Sequence, residues 1–238
     1  MPDKSRPTPF DPRPFDPQMV LIDLDGTLVD SVPDLTHSVD EMMAALDRPP
    51  HGEAAVRNWV GNGVERLVQR ALTGQLDGEP DPADYERAYP IFLELYSAHN
   101  GEHARLYPGV VEGLKALRKR GLKLGCVTNK AARFTEPLLE NLGIADNFGI
   151  IISGDSLSEK KPSPLPLLHA AEHFGVTPPQ SLMLGDSISD VKAARAAGFP
   201  VVCVSYGYNH GHDIREAVPD AVIDSLTELD GLLVEQRA

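Results

Sequence analysis

The hydrophobic pattern near the start of the chain predicts a short buried strand. Apolar residues fill positions 19–22 without interruption, and the polar segment Asp23-Leu24-Asp25-Gly26-Thr27 follows at once. The apolar run is too short for an ordinary helix and lacks the alternation of a strand with one exposed face. It is typical of a strand covered on both sides in a parallel sheet. Asp23 and Asp25 are therefore expected at the carboxyl end of this strand, where open α/β sheets place their ligand crevices.

The spacing of these two acids indicates a cation beside them. Residues two apart in an extended strand point the same way, so the Asp23 and Asp25 carboxylates are expected on one side. Gly26 lets the backbone leave the strand sharply. Two carboxylates held together at a buried strand end are unfavourable unless a cation or a proton relieves them. A metal ion is the first candidate.

From about residue 34 to residue 100, apolar residues recur at helical spacing, with no strand between them. The pattern predicts helices over 35–46, 54–60, 64–72 and 82–98. This block is large enough to form a small bundle that covers another part of the molecule. The segment Trp59-Val60-Gly61-Asn62-Gly63 lies between the second and third helices. Spacing alone leaves open whether it is a plain turn or a loop that reaches over the crevice.

After Pro108-Gly109 the pattern alternates between strands and helices to the end of the chain. Such alternation is typical of a parallel sheet with helices on both faces. We therefore predict an α/β fold with a Rossmann-like core at 19–33 and 104–238 and a helical domain at 34–103, inserted after the first strand. The predicted strands cover 122–127, 148–152, 182–184, 201–204 and 221–223. The predicted helices cover 110–120, the stretch ending at 142, the stretch ending at 174, 188–197 and 226–235.

Residues 1–18 form a different kind of segment. Six prolines and a repeated Pro-Phe-Asp-Pro sequence exclude helix and central strand, so we predict an extended arm. Phe10 and Phe15 could dock on the body of the protein, but a loose tail is the preferred interpretation. Charged residues interrupt this segment and no apolar block of the kind found in signal peptides follows it.

Composition narrows the classes of partner. The chain carries 22 Lys and Arg against 35 Asp and Glu, a net charge of −13, which argues against a nucleic-acid partner. No apolar run reaches membrane-spanning length, so we expect no membrane partner and a cytoplasmic location. Cys126 and Cys203 both fall in apolar runs and are interpreted as core residues in a reducing compartment.

Polar residues follow three further predicted strands. Thr128-Asn129-Lys130 comes after 122–127, Lys160-Lys161-Pro162 lies beyond 148–152, and Gly185-Asp186-Ser187 with Asp190 comes after 182–184. Each segment alone could be an ordinary turn or a helix cap. In a parallel sheet, however, all of them converge on the crevice that holds Asp23 and Asp25.

This set of motifs resembles the haloacid dehalogenase-like superfamily of aspartate-nucleophile phosphatases. The segment 23–27 is similar to the first motif of the family, Thr128 to the second, Lys161 to the third, and Gly185-Asp186-Ser187 with Asp190 to the fourth. The resemblance covers the chain from about residue 19 onward. It identifies the block at 34–103 as a helical cap.

The resemblance implies a role for each matching residue. Asp23 would be the nucleophile that receives the phosphoryl group, and Asp25 the general acid and base. Thr128 and Lys161 would hold the transferring oxygens and neutralise their charge, with Asn129 also binding substrate. Mg²⁺ would be held by Asp23, by the Asp25 backbone carbonyl and by Asp186. Asp190 would orient Lys161 or a metal-bound water.

Three local stretches, 59–63, 161–168 and 206–211, resemble the phosphoglycolate phosphatase branch of the family. The resemblance implies a small phosphorylated metabolite as partner, hydrolysis of 2-phosphoglycolate to glycolate and phosphate, and substrate binding by Gly61 and Asn62. Asp25 argues against the dehalogenase and phosphonate-cleaving branches, which lack this acid. A sugar or amino-sugar phosphatase, a phosphomutase and a non-catalytic binding protein remain as alternatives, and the chain is expected to be a monomer or a homodimer.

Overall fold

The structure is a computed structural model that describes residues 15–234. Most of the predicted arm, including Phe10, lies outside the described residues. Phe15 lies within them and pairs with the end of the chain, donating its N–H to Leu232 O and accepting from Val234 N–H, both at 2.8 Å. Its ring packs against the core. The preferred interpretation of Phe15 as part of a loose tail was therefore wrong.

Residues 15–234 form eight strands and eight α-helices. The strands are β1 (Met19–Ile22), β2 (Val29–Asp30), β3 (Arg105–Leu106), β4 (Lys123–Val127), β5 (Ile150–Ile152), β6 (Ser181–Gly185), β7 (Val201–Val204) and β8 (Ala221–Ile223). The helices are α1 (Val32–Ala45), α2 (Glu53–Trp59), α3 (Val64–Thr73), α4 (Pro82–His99), α5 (Val110–Lys119), α6 (Ala132–Asn141), α7 (Leu165–Phe174) and α8 (Ile188–Ala197). No helix in this part of the chain is both long and apolar enough to span a bilayer.

Six of the strands form one parallel sheet in the order β5-β4-β1-β6-β7-β8. Strand β1 is central, and every one of its side chains is fully buried. Val20 and Ile22 pack with α5 and α6 on one face of the sheet, whereas Met19 and Leu21 pack with α7 and α8 on the other. The predicted α/β core with helices on both faces is confirmed, because β1 is covered on both sides as its apolar run requires.

Helices α1 to α4, which we call the cap helices, share a separate hydrophobic cluster that includes Met42, Trp59, Phe92 and Tyr96. The chain enters them through β2 and leaves them through β3, and these two short strands form an antiparallel ribbon. Asp30 is paired in this ribbon, and α1 already begins at Val32. Two-residue strands are too short to show an alternating pattern, which is why the ribbon was not predicted. The boundaries 34–103 for the cap domain stay a prediction.

The predicted final helix at 226–235 is instead a 3-10 helix at Leu226–Leu232, and residue 235 lies outside the described part of the chain. An α-helix would need the carbonyl of Asp230 to accept from the N–H of Val234. Arg120 donates to that carbonyl at 3.0 Å, and Val234 N–H donates to Phe15 O instead. The last turn therefore lacks this α-helical hydrogen bond. Cys126 and Cys203 are buried free cysteines, as predicted.

Candidate active site

The polar segments that follow the strands meet at one edge of the sheet. Strands β4 and β6 flank β1, so Thr128, Asp186 and Asp23 emerge side by side at the carboxyl ends of parallel strands. Lys161 reaches the same place from the loop after β5. Carboxylate oxygens of Asp23, Asp186 and Asp190 all lie within 4.8 Å of one another. Loops that are distant along the chain thus form one acidic cluster.

Lys161 is the cation of this cluster. Its buried ammonium lies 2.8 Å from Asp23 Oδ1 and 2.7 Å from Asp190 Oδ1, and it donates to Val127 O at 2.7 Å. Burial alone would lower the pKa of this amine, but the neighbouring Asp190 and Asp23 carboxylates outweigh burial and hold the pKa above its usual value. The amine therefore stays charged and links two of the three acids.

One ammonium does not balance three buried carboxyl groups. Burial, together with the charge of Asp190, raises the pKa of Asp23 to about 7 despite the opposing effect of Lys161. Burial and the charges of Asp23 and Asp190 raise the pKa of Asp186 well above its usual value. Hard carboxylate oxygens are the ligands that Mg²⁺ prefers. The donor set therefore fits a divalent ion, which would relieve this repulsion.

Hydrogen bonds fix the positions of the Asp190 and Asp186 carboxylates. Asp190 Oδ2 accepts from the N–H groups of Asp186 and Ser187 and from Ser187 Oγ, at 3.2, 3.1 and 2.7 Å. Its other oxygen accepts from Lys161. Both oxygens of Asp190 are thus occupied, and its role of orienting Lys161 stays a prediction. Asp186 Oδ1 accepts from Thr27 Oγ1 at 2.9 Å, which fixes the carboxylate that follows β6.

Asp25 has partners that the sequence analysis did not assign. Ser31 Oγ donates to Asp25 Oδ1 at 2.6 Å, and Lys130 Nζ lies 3.1 Å from the same oxygen. The Lys130 ammonium also donates to the Tyr96 hydroxyl of α4. Lys130 directly follows Thr128 and Asn129 after β4, so its position was a signal that could have drawn attention to it. Tyr96 gave no such signal, because an aromatic residue at helical spacing is ordinary core.

Asn129 connects the core to the loop between the cap helices α2 and α3. Its Nδ2 donates to Gly61 O in the loop between α2 and α3 at 3.1 Å and to Lys161 O at 3.0 Å. The loop at 59–63 therefore does reach over the crevice. Thr128 Oγ1 accepts from the N–H of Lys130 at 3.1 Å, which shapes the turn after β4.

A cavity of about 40 Å³ lies at this site, between the core and the cap helices. Its core side is polar and its cap side is mostly apolar. Gly61 lines the cavity and Asn62 does not, and substrate binding by either residue stays a prediction. The lining residues are Asp23, Asp25, Leu35, Val60, Gly61, Gly63, Val64, Leu67, Thr128, Asn129 and Lys130.

A family model described as haloacid dehalogenase-like hydrolase matches residues 17–198, which is most of the chain. The chain belongs to the haloacid dehalogenase-like hydrolase family. The matched span contains all four of the motifs by which the sequence resembled the family. The membership expected from those motifs is confirmed, and the chain is a hydrolase of that family.

Similar proteins within the family carry the same name, phosphoglycolate phosphatase. A phosphoglycolate phosphatase of Nitrosococcus oceani is 62% identical over 217 residues, covering 91% of this chain and 96% of that protein. A phosphoglycolate phosphatase of Thiobacillus denitrificans is 51% identical and covers 90% of this chain and 95% of its own length. The crystal structure of a predicted phosphoglycolate phosphatase from Haemophilus somnus aligns with a TM-score of 0.85 at 36% identity, covering 90% of this chain and 96% of that one.

Proposed function

We propose that the protein is an Mg²⁺-dependent phosphomonoester hydrolase that acts through an aspartyl-phosphate on Asp23, with 2-phosphoglycolate as substrate. The observation that carries the proposal is the pairing of the Asp23 carboxylate with Lys161 inside a cluster of three acids. Asp25 lines the same cavity as Asp23. A nucleophile, a separate acid and a cation are thus available around one reacting phosphorus atom.

Phosphoryl transfer depends on positioning and charge stabilisation, and the site residues can supply both. An oxygen of Asp23 attacks phosphorus as the bond to the leaving oxygen breaks, and Asp25 gives its proton to that oxygen. Lys161 balances the charge shared by the phosphoryl oxygens and Asp23. Asp25 then takes a proton from water, whose oxygen attacks phosphorus and releases phosphate and free Asp23.

Three groups of the site would bind the metal ion. Asp23, Asp186 and the backbone carbonyl of Asp25 would hold Mg²⁺, which neutralises charge on the phosphoryl oxygens when it is bound. Lys161 and Asp190 stay outside this ligand set, because Lys161 is itself a cation and Asp190 orients it through their 2.7 Å contact.

The lining of the cavity and the named relatives support 2-phosphoglycolate as the substrate. The apolar side chains on the cap side, among them Leu35 and Val64, exclude water from the reacting atoms. The protein names of the relatives from Nitrosococcus and Thiobacillus indicate the same substrate. Cytoplasmic location and the choice between monomer and homodimer stay predictions.

A phosphate-release assay tests the proposal. Purified protein with Mg²⁺ is offered 2-phosphoglycolate, glucose 6-phosphate, glucosamine 6-phosphate and β-glucose 1-phosphate, and free phosphate is measured for each. We expect 2-phosphoglycolate to give the highest kcat/KM and Asp23→Asn to abolish release from every substrate while the protein stays folded. Preference for a sugar phosphate would overturn the substrate, isomerised sugar phosphate would indicate a mutase, and activity in Asp23→Asn would overturn the nucleophile.

A further inference from the structure

Lys130 lines the cavity and is a buried cation, at a position different from that of Lys161. Lys130 is only 5% exposed, and its ammonium lies 3.1 Å from Asp25 Oδ1 and 3.4 Å from Oδ2. Lys161, in contrast, contacts Asp23. The proposed reaction puts the phosphoryl group at Asp23 and the leaving oxygen at Asp25. Lys130 therefore lies beside the leaving group and Lys161 beside the phosphoryl group.

The Lys130 ammonium is held firmly. Its three N–H donors face the two Asp25 carboxylate oxygens and the Tyr96 hydroxyl, and the contact to Asp25 Oδ2, at 3.4 Å, is the longest of the three. Tyr96 is itself fixed between Phe92 and Phe134, with ring centroids 5.5 and 4.7 Å away. A charged, oriented donor thus borders the cavity.

The other walls around this donor offer little to an anion. Leu35, Val60, Val64 and Leu67 are apolar, and Asp25 commits its proton to the leaving oxygen. A leaving group with its own negative charge would meet an unfavourable surface unless it contacted Lys130. In glycolate, one CH₂ group separates the ester oxygen from the carboxylate. An ester oxygen beside Asp25 therefore brings that carboxylate next to the Lys130 ammonium.

We propose that Lys130 selects the substrate by binding the carboxylate of 2-phosphoglycolate through its ammonium, which Tyr96 holds in place from the cap. This inference rests on the proposed function and adds the group that distinguishes 2-phosphoglycolate from an uncharged ester of equal size. Substrate selection then also depends on the cap helices, because the Tyr96 hydroxyl that holds Lys130 belongs to α4.

The test compares two substrates that differ only at the carboxylate. Wild type and Lys130→Met are assayed with 2-phosphoglycolate and with ethyl phosphate, in which a methyl group replaces the carboxylate. Loss of a buried charged partner typically weakens binding on the order of 100-fold. We therefore expect Lys130→Met to lower the ratio of kcat/KM values, 2-phosphoglycolate over ethyl phosphate, about 100-fold. Lys160→Met removes a neighbouring, half-exposed ammonium and should keep the wild-type ratio.

Tyr96→Phe provides a second variant in case Lys130→Met does not fold. It keeps the ring between its aromatic neighbours and removes only the hydroxyl that holds Lys130. We expect a higher KM for 2-phosphoglycolate and an unchanged KM for ethyl phosphate. A merely structural role for either residue would lower both activities together.

The outcomes separate this inference from the proposed function. If wild type prefers 2-phosphoglycolate and Lys130→Met loses that preference, the inference is supported. If both substrates decline equally in Lys130→Met and in Tyr96→Phe, Lys130 serves only Asp25 and the inference is overturned, while the proposed hydrolase stands. If wild type itself does not prefer 2-phosphoglycolate, the proposed substrate is wrong and carboxylate recognition is overturned with it.

Discussion

The backbone N–H of Tyr208 donates to Asp186 Oδ2 at 2.5 Å, while its side-chain hydroxyl, at the other end of the residue, accepts from the N–H of Ser31 at 3.1 Å. The same hydroxyl donates to Asp30 in β2. One residue of the loop after β7 therefore contacts both a candidate metal ligand and the chain segment that leads into the cap helices. Gly207, which precedes it, lets the loop come this close. A Cβ atom at Gly207 would lie 2.1 Å from the Cβ of Asp186.

We expect Gly207→Ala to weaken metal binding. The added methyl group overlaps Asp186, so the carboxylate must move away from the position it shares with Asp23. Changes to groups that support a metal ligand typically cost 10–100-fold in affinity, and we expect the Mg²⁺ concentration for half-maximal activity to rise by about that factor. A titration of phosphate release against Mg²⁺ measures this.

The control for this substitution is Gly231→Ala, since a Cβ at Gly231 meets no atom within 4 Å. Its Mg²⁺ requirement should equal that of wild type. An unchanged requirement in Gly207→Ala would mean that Asp186 does not bind the metal or tolerates displacement.

Tyr208→Phe should lower the stability of the protein and leave metal binding unchanged. It keeps the N–H that Asp186 accepts, so the Mg²⁺ requirement should stay at the wild-type value. It removes the hydroxyl contacts to Asp30 and Ser31, and the lost hydrogen bonds should lower the free energy of unfolding by about 1–2 kcal/mol. Urea unfolding and the same Mg²⁺ titration give the two readings. A raised Mg²⁺ requirement in this variant would show that the ring, as well as the backbone, fixes Asp186.

Asp34→Ala should destabilise the connection between the cap helices and the core. The fully buried Asp34 carboxylate accepts from the N–H groups of Gly101, His103 and Ala104 at 2.8, 2.7 and 3.1 Å. Removing it leaves three donors without their acceptor, at a cost of about 3 kcal/mol. Urea unfolding measures the change. The exposed Asp77 supplies the control, because Asp77→Ala should leave the midpoint unchanged, and equal midpoints for both variants would contradict this role of Asp34.

Without metal, the protein should lose stability as pH rises, because of Asp23. Burial raises the pKa of this carboxyl from its ordinary 3.8 to about 7, so the folded chain binds a proton that the unfolded chain has released. The stabilisation is complete below about pH 4 and is lost as pH rises through about 7. Asn cannot ionise, so Asp23→Asn should gain in Tm relative to wild type between pH 5 and pH 8 in EDTA. Mg²⁺ should raise the wild-type Tm most at pH 8.

Thermal unfolding of both proteins across this range provides the measurement. A difference in Tm that does not vary with pH would contradict the raised pKa. A larger effect of Mg²⁺ at pH 5 than at pH 8 would have the same meaning, because protons compete with the metal for the carboxylates.

The sequence predicted those features that are encoded locally. The apolar run before Asp23 indicated a buried central strand, and the polar segments directly after later strands indicated where Thr128 and Asp186 would meet it. Parallel pairing then brings them together without further information. The partners of Lys130 and Asp186 could not be predicted in this way. Tyr96 lies 34 residues before Lys130 and Tyr208 lies 22 residues after Asp186, so both contacts depend on how separate elements pack.

The role of Asp34 was missed for a related reason. An acid in the first turn of a helix is ordinarily explained by the helix dipole, and nothing near it in the sequence points to the amides of Gly101, His103 and Ala104. Those amides become its partners only because the ribbon of β2 and β3 brings both ends of the cap segment together. Contacts that close a long loop depend on tertiary structure and leave no periodic trace in the sequence.

The ribbon of β2 and β3 also bears on how such a protein could diversify. Val29 faces Leu106 and Asp30 faces Arg105, so the polypeptide departs from the sheet and rejoins it at nearly the same point. Surface insertions whose ends lie close together are well tolerated. A segment inserted between β2 and β3 therefore does not change the register of the six parallel strands. Evolution could therefore exchange the lid to change which molecule enters and conserve the phosphoryl chemistry beneath it.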